Sequence, residues 1–276
     1  MAYSRSKEKT WSARFRAIPK HRKIAFGLVL TVIPTLFLVN LFVFSHLLAL
    51  GDQYEDRYQM KKLRLETYHG NVEFVRSTNE KVQIEVVQTN SKERRIKVKS
   101  VGDTIYVVER YGWFSYFGSR ASDEPSRYKL RVALPSSMTS VHLGAEQVTG
   151  QGLNVKTIVM NANAVNLKQI DSDRLRIETK SDTTIESARL VTGDIRSYRH
   201  ATITDVVVNQ AMTVQTEAGT LSYAPKHATG QVNVTTAGKI SSSDRYKEVE
   251  PGVYQLSTSN RPVVDLISET GKVELK

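Results

Sequence analysis

The stretch Val141-His-Leu-Gly-Ala-Glu-Gln-Val-Thr-Gly-Gln-Gly-Leu-Asn-Val-Lys-Thr-Ile-Val-Met-Asn-Ala-Asn-Ala-Val-Asn-Leu-Lys-Gln-Ile-Asp-Ser-Asp-Arg-Leu-Arg-Ile177 decides the fold. It holds one short motif three times, as Val141-His-Leu143, Ile158-Val-Met160 and Leu175-Arg-Ile177, with the same step between the first and second as between the second and third. Alternation of apolar and polar residues marks a strand with one buried face. A fixed period of roughly 20 residues marks units that stack, each pairing mainly with its neighbours. The series runs on through Met212-Thr-Val214, Val232-Asn-Val234 and Val253-Tyr-Gln-Leu256, with Ile195 or Ile203–Val207 filling the step between 175 and 212. Most units carry a second short strand: Val165-Asn-Leu167, Ile185, Leu221-Ser-Tyr223, Ile240 and Val264-Asp-Leu266. The expected fold is all-β, a β-solenoid or β-helix-like repeat domain. Evenly spaced short strands also build a β-sandwich, which stays open as the alternative.

Upstream, the same period of two appears in Leu63-Arg-Leu65, Val72-Glu-Phe74, Val82-Gln-Ile84-Glu-Val86, Ile96-Lys-Val98, Thr104-Ile-Tyr-Val107 and Tyr128–Leu134. Turns are expected at His69-Gly70-Asn71, Thr78-Asn79 and Gly102-Asp103. Between these strands lies the aromatic stretch Tyr111-Gly-Trp-Phe-Ser-Tyr-Phe117. Trp113, Phe114, Tyr116 and Phe117 are candidates for contact with a partner or membrane, where Trp and Tyr concentrate binding energy. Equally, they would cover an open end of a strand stack.

Before the strands comes Ile24–Leu50, a long run with no Asp, Glu, Lys or Arg. About 20 apolar residues in a helix cross a hydrocarbon core. The run therefore predicts one N-terminal transmembrane helix, an uncleaved signal anchor over 24–50. A cleavable signal peptide fits less well. The basic leader is long, the apolar run exceeds the usual length of about 7–15 residues, and Leu48-Ala49-Leu50 is a poor cleavage site. Residues 1–23 hold eight Lys/Arg, among them Arg14, Arg16, Lys20, Arg22 and Lys23, against one Glu. That excess sets the topology: residues 1–23 a cytoplasmic tail, 51–62 a linker, 63–276 an extracytoplasmic domain, a single-pass type II protein of the cell membrane.

The net charge of +11 would suit a nucleic-acid binder, but most of it sits in the tail. Beyond residue 23 there are 31 Lys/Arg to 27 Asp/Glu. The tail is explained by topology and by contact with anionic lipid, so nucleic acid is not an expected partner. No cysteine is present, so disulfides do not stabilise the outer domain.

The stretches Tyr128-Lys-Leu-Arg-Val-Ala-Leu-Pro135, Val141-His-Leu-Gly144, Met212-Thr-Val-Gln-Thr-Glu-Ala-Gly-Thr-Leu221 and Val232-Asn-Val-Thr-Thr-Ala-Gly-Lys-Ile240 together resemble the bacterial "putative adhesin" β-strand-repeat family, a domain of unknown function. The resemblance covers about residues 63–276. This chain departs from the family's Ser-Gly-Asp turns at Lys180-Ser-Asp182 and Ala237-Gly-Lys239, and only Thr192-Gly-Asp-Ile195 is close. The resemblance implies a surface-anchored bacterial protein, in some cases beside envelope-stress regulators, and it carries over no catalytic residues.

The candidates for chemistry are Asp171-Ser-Asp173 with Asp182, and His69, His142, His200 and His227. Carboxylates around a turn usually serve as solvated corners, and the histidines lack metal-ligand spacing. The expectation is a non-enzyme without cofactor or metal: an interaction or scaffold module of the envelope. Its partner is a membrane protein or a cell-wall polymer, and the alternative is an adhesin-like binder of wall or host glycans. The Thr, Ser, Asn and Gln of the outward faces would then line up as ladders suited to carbohydrate.

Overall fold

Each long strand bends, and its halves join different rows of pairing. The computed structural model describes residues 32, 35, 45–56, 59–90, 96–109, 127–227, 230–255 and 262–276. Its described elements are eighteen strands in one hydrogen-bonded sheet system, and Val32 and Thr35, described singly, are helical.

In β9 (Thr157–Thr179) inward residues alternate regularly, but the alternation slips at Asn163/Ala164, Lys168/Gln169 and Asp173/Arg174. At each slip the chain turns and starts a new inward line. The same occurs in β8 (Ser140–Gln151), β10 (Thr183–Ser197) and β11 (Ala201–Thr216). Parallel register joins them at a nearly constant offset: Val141 with Ile158, Leu167 with Ile185, and Ile185 with Ile203. One corner repeats its backbone. Gln169, Ser187 and Asp205, evenly spaced along the chain, all take positive φ, at 54°, 58° and 54°. An L-residue in that region costs about 1–2 kcal/mol. Here the corner side chains bond along the stack, Ser187 Oγ to Asp205 Oδ2 at 2.7 Å and Gln151 Nε2 to Gln169 Oε1 at 3.3 Å.

Two long rows result. In the first, the start of β3 (Lys62–Arg76) lies between β6 (Thr104–Glu109) and β8, followed by β9 and by the ends of β10 and β11. Then come β17 (Val263–Ser268) and β13 (Gln231–Thr236). In the second, the end of β3 pairs with β7 (Tyr128–Leu134) and β8; the row continues through β9, β10 and β11 to β12 (Thr220–Pro225), β18 (Lys272–Leu275) and β14 (Ile240–Ser242). A third, short row links 153–155, 170–172, 188–190 and 206–208. Antiparallel strands flank the rows: β4 (Gln83–Thr89) on β7, β5 (Ile96–Val101) on β6, and β15 (Lys247–Glu250) with β16 (Val253–Gln255) beyond β13. Leu65, Leu143, Met160, Ile177, Ile195, Val214, Leu266 and Val234 form one buried line through the first row. Each such side chain contributes about 1.5–3 kcal/mol by leaving water.

Several expectations are corrected. β structure starts before residue 63. Ser45–Leu48, assigned to the end of the anchor, is strand β1, and its Leu48 is buried in the core. The apolar run stops at a turn: Asp52 N–H donates to Ala49 O at 3.0 Å, and Asp52 Oδ2 accepts from Ala49 N–H at 2.8 Å. Hydropathy does not register that change, because an inward strand residue and a membrane residue are equally apolar. The expected linker 51–62 holds β2 (Gln53–Glu55), antiparallel to β4, and buries Asp56 and Met60. Among the described residues no helix is long and apolar enough to cross a membrane. Apart from Val32, Thr35 and 45–50, the expected anchor lies outside the described residues.

The expected turn at His69-Gly70-Asn71 is a bend inside β3, where the register against β8 shifts between Thr67 and Asn71. Ile195 fills the step between 175 and 212. Val253–Gln255 does not extend the series, since it runs antiparallel to β13. Val264 and Leu266, expected in the second row, lie in the first between β11 and β13. Spacing could not reveal this, because the chain reverses through β15 and β16 before β17 inserts.

Candidate functional site

Which side chains face outward follows from which face inward. In the second row Val148, Leu167, Ile185, Ile203 and Tyr223 point in, so their strand neighbours point out. Register then aligns Thr149, Asn166, Thr184, Thr202 and Ser222 on successive strands. At about 4.8 Å per strand this polar ladder runs about 19 Å. Thr149 and Asn166 are exposed, whereas Ser222 at the far end is buried. The ladder continues into charge: Thr149 adjoins Glu73, whose carboxylate lies 2.7 Å from Lys129 Nζ and 3.9 Å from Arg131. The hydrogen bond from Lys129 holds the Glu73 carboxyl below its usual value, against a smaller opposing effect of burial.

The outward face of the first row is less flat. Glu66, Gly144 and Asn161 are successive neighbours there, and Gly144 places no side chain between the other two. A depression of about 500 Å³ opens above it, walled by Arg64, His142, Asn163 and Lys180. A second depression, of about 580 Å³, shares Asn161 and Lys180 with the first and extends past Glu178 and Arg196 to Tyr198, Gln215 and Glu217. Tyr198 is 54% exposed. Its ring faces out because Ile195 and Ser197 face in. Arg64 pairs with Glu66 at 3.0 Å, and Asp194 sits between Arg176 at 3.7 Å and Arg196 at 3.6 Å. These pairs are exposed, so each is worth about 0–1 kcal/mol and serves mainly to balance charge.

Beneath this face runs a line of inward hydroxyls, Thr179, Ser197, Thr216, Ser268 and Thr236, in register. Ser197 Oγ lies 2.6 Å from Ser181 O and 2.9 Å from His200 O, and accepts from Thr179 Oγ1 at 3.1 Å. Of these groups, Ser197 and Thr236 serve backbone carbonyls, Thr236 at Gly271. Burial raises the Tyr223 phenol far above its ordinary value and pushes Tyr246 up to about 12, so both stay neutral.

The residues singled out by sequence fall apart in space or into structural duties. Asp171 Oδ2 lies 3.4 Å from Arg189 Nη1, and Asp182 Oδ1 accepts the His200 N–H at 3.2 Å. Asp173 offers its backbone carbonyl to Thr192 Oγ1 at 3.2 Å. His200 Nδ1 accepts from Thr220 N–H at 3.0 Å, and His69 lies 3.6 Å from the buried Glu109 carboxylate. His227 lines a smaller depression with Asp205 and Lys226, and His142 lines the large one. Among the described residues no three His, Asp or Glu side chains gather as metal ligands would. Trp113, Phe114, Tyr116 and Phe117, and the basic residues Arg14, Arg16, Lys20, Arg22 and Lys23, lie outside the described residues. Tyr198, Gly144 and Asn161 were not singled out by sequence. The parity of Ile195 and Ser197 was the signal for Tyr198.

No family model matches the chain, and no curated protein sequence matches it. Among solved structures it is similar to a "putative cell adhesion protein" of Clostridium sporogenes, at 12% identity and a TM-score of 0.37, covering 82% of this chain and 99% of that one. It is also similar to a "putative adhesin" of Bacteroides fragilis, at 12% identity and a TM-score of 0.46, covering 82% and 97%. A third, a "putative adhesin" of Parabacteroides distasonis, has 9% identity and a TM-score of 0.38, covering 82% and 98%.

Proposed function

We propose that the chain is a non-catalytic interaction module of the bacterial cell envelope, displayed outside the membrane on a β-solenoid and held there by the apolar run that begins at Ile24. The nearly constant parallel offset from β8 through β11 supports the solenoid reading. If β1 claims 45–48, the run keeps residues 24–44, about 31 Å as a helix and enough for a hydrocarbon core. The observation that carries the reading is the pair of outward faces. A bent strand stack fixes polar side chains in ladders at strand spacing, and such a surface is built to contact something long and regular. Of the carboxylates that the sequence offers for polymer chemistry, Asp171 lies against Arg189 and Asp182 accepts the His200 N–H.

Crosslinking on intact cells with a membrane-impermeant amine reagent tests this. Labelling of lysines beyond residue 60, with Lys7, Lys9, Lys20 and Lys23 spared, supports the topology. A specific envelope protein or wall polymer in the eluate supports the role; labelling of the tail lysines in intact cells would refute it.

A second reading, an adhesin-like binder of wall or host glycans, is favoured by one arrangement. The ladder Thr149–Asn166–Thr184–Thr202 offers hydroxyls and amides that both donate and accept hydrogen bonds. Retention of the full chain on isolated walls or immobilised glycans, against none on bare resin, is the outcome that supports it.

A further inference from the structure

The geometry points to a binding cleft for an uncharged, extended oligosaccharide on the outward face of the first row, with Gly144 as its floor and Tyr198 as its stacking platform. This rests on the glycan-binding reading and names its site and ligand class. Two depressions of about 500 and 580 Å³ join through Asn161 and Lys180 into one trough crossing the strands from β3 to β11. Along it β3, β8, β9, β10 and β11 lie side by side. Because β9 crosses twice, at its start and again at its end, that is six strand segments and about 24 Å at the usual strand spacing, so the trough is long rather than deep. A long shallow trough suits a chain, not a compact small molecule.

Its chemistry selects the chain. Asn161, Asn163 and Gln215 line it, each able to donate and accept, as sugar hydroxyls require. Tyr198 presents an exposed aromatic face beside them, the apolar body with a polar tip that packs on the C–H face of a pyranose ring. Arg64, Lys180 and Arg196 are balanced by Glu66, Glu178 and Glu217, so the cleft attracts neither an anionic polymer nor a nucleic acid. A protein partner would look for an apolar centre with several buried anchors. This trough has one exposed aromatic ring, set among polar side chains.

The floor provides a clean test. A Cβ built on Gly144 meets no atom within 4 Å, and its φ is not in the left-handed region. Gly144→Gln therefore fills the trough without straining the chain. The experiment titrates the full chain, in lipid nanodiscs, with cellohexaose, chitohexaose and hexagalacturonate by calorimetry. The wild type is expected to bind at least one of the uncharged hexasaccharides and not the anionic one. Gly144→Gln and Tyr198→Ala should each weaken binding by about tenfold or more, a change easily resolved. Glu250→Gln, on the exposed β15 and outside both faces, should leave affinity and melting temperature unchanged. Unaltered melting of Gly144→Gln separates a blocked cleft from a damaged fold. If the cleft variants bind as the wild type does, the cleft is refuted while glycan binding stands. If only hexagalacturonate binds, the cleft's charge argument is refuted and another face carries the ligand. If the wild type binds none of the three and is not retained on isolated walls, both the cleft and the glycan reading fall.

Discussion

The same substitution at two glycines should move stability in opposite directions. Gly271 lies where three segments stack backbone on backbone: a Cβ on it would overlap the Gly219 carbonyl, and a Cβ on Gly238 would overlap the Gly271 carbonyl. The chain there has no room to retreat. Glu269 N–H donates to Thr216 O at 3.0 Å, Thr270 N–H to Glu217 O at 3.2 Å, and Lys272 N–H to Gly219 O at 3.0 Å. From the other side Thr236 Oγ1 donates to Gly271 O at 2.9 Å. One inserted methyl in a packed site costs about 1–3 kcal/mol. Relieving it here also stretches three or four hydrogen bonds worth about 0.5–1.5 kcal/mol each. Gly271→Ala should therefore lose about 3–6 kcal/mol. Gly144→Ala meets open space in an extended strand, and should gain about 0.4–1 kcal/mol from a less flexible unfolded chain. For a domain of this size each kcal/mol shifts the midpoint by about 2–4 °C. Thermal melts of the full chain, followed by β-type circular dichroism, should show Gly271→Ala lower by at least about 6 °C and Gly144→Ala level or slightly higher. A Gly271→Ala midpoint within about 1 °C of wild type would refute the close stacking of these segments.

Other expectations follow from buried polar groups. Tyr128→Phe removes the hydroxyl that donates to Glu109 Oε2 at 3.0 Å, leaving a carboxylate only 3% exposed without that donor; unfolding in urea should show a loss of about 1–3 kcal/mol. Ser197→Ala removes the hydroxyl shared by Ser181 O and His200 O, and should cost about 1–2 kcal/mol in the same measurement. Stability should also depend on pH through Glu73. Its folded pKa is held down, first by the Lys129 hydrogen bond, so its contribution is present above the unfolded carboxylate value of about 4.3 and is lost as pH falls through the folded value. Melts in acid should show a decline that is shallower in Glu73→Gln, and identical slopes would count against the assignment.

The architecture was legible where one property repeated. Val141, Ile158 and Leu175 each open an inward line, and the step from 141 to 158 is the register of β8 on β9. Leu167, Ile185 and Tyr223 were legible as a second row for the same reason, since each stands on a parallel partner. The signal failed where apolarity has two causes or where the chain leaves its sequential order. Leu48 counts the same toward hydropathy whether it faces lipid or the core of a β stack. Val264-Asp-Leu266 looks like any second-row strand, but the return through β15 and β16 brings it down beside β11. The corners at Gln169 and Ser187 were invisible because neither residue is a strong former of left-handed turns. They hold positive φ because the stack above and below fixes their neighbours, a tertiary constraint that overrides local preference.

The surface was less legible than the core, and for a physical reason. A core residue must be apolar, so its type announces its position; an outward residue need only be tolerated by water, so Thr184 or Asn161 is informative only once register tells what stands beside it. Register turns the notion of a polar ladder into Thr149, Asn166, Thr184 and Thr202 on four adjacent strands. It also turns Gly144, which alone reads as a weak point in a strand, into the gap between Glu66 and Asn161. Gly271 and Gly144 thus differ in what their missing side chains permit: at one the backbones close together, at the other the surface opens. That difference is why filling Gly271 should destabilise the fold, whereas filling Gly144 should leave the fold intact and block only what lies in the trough.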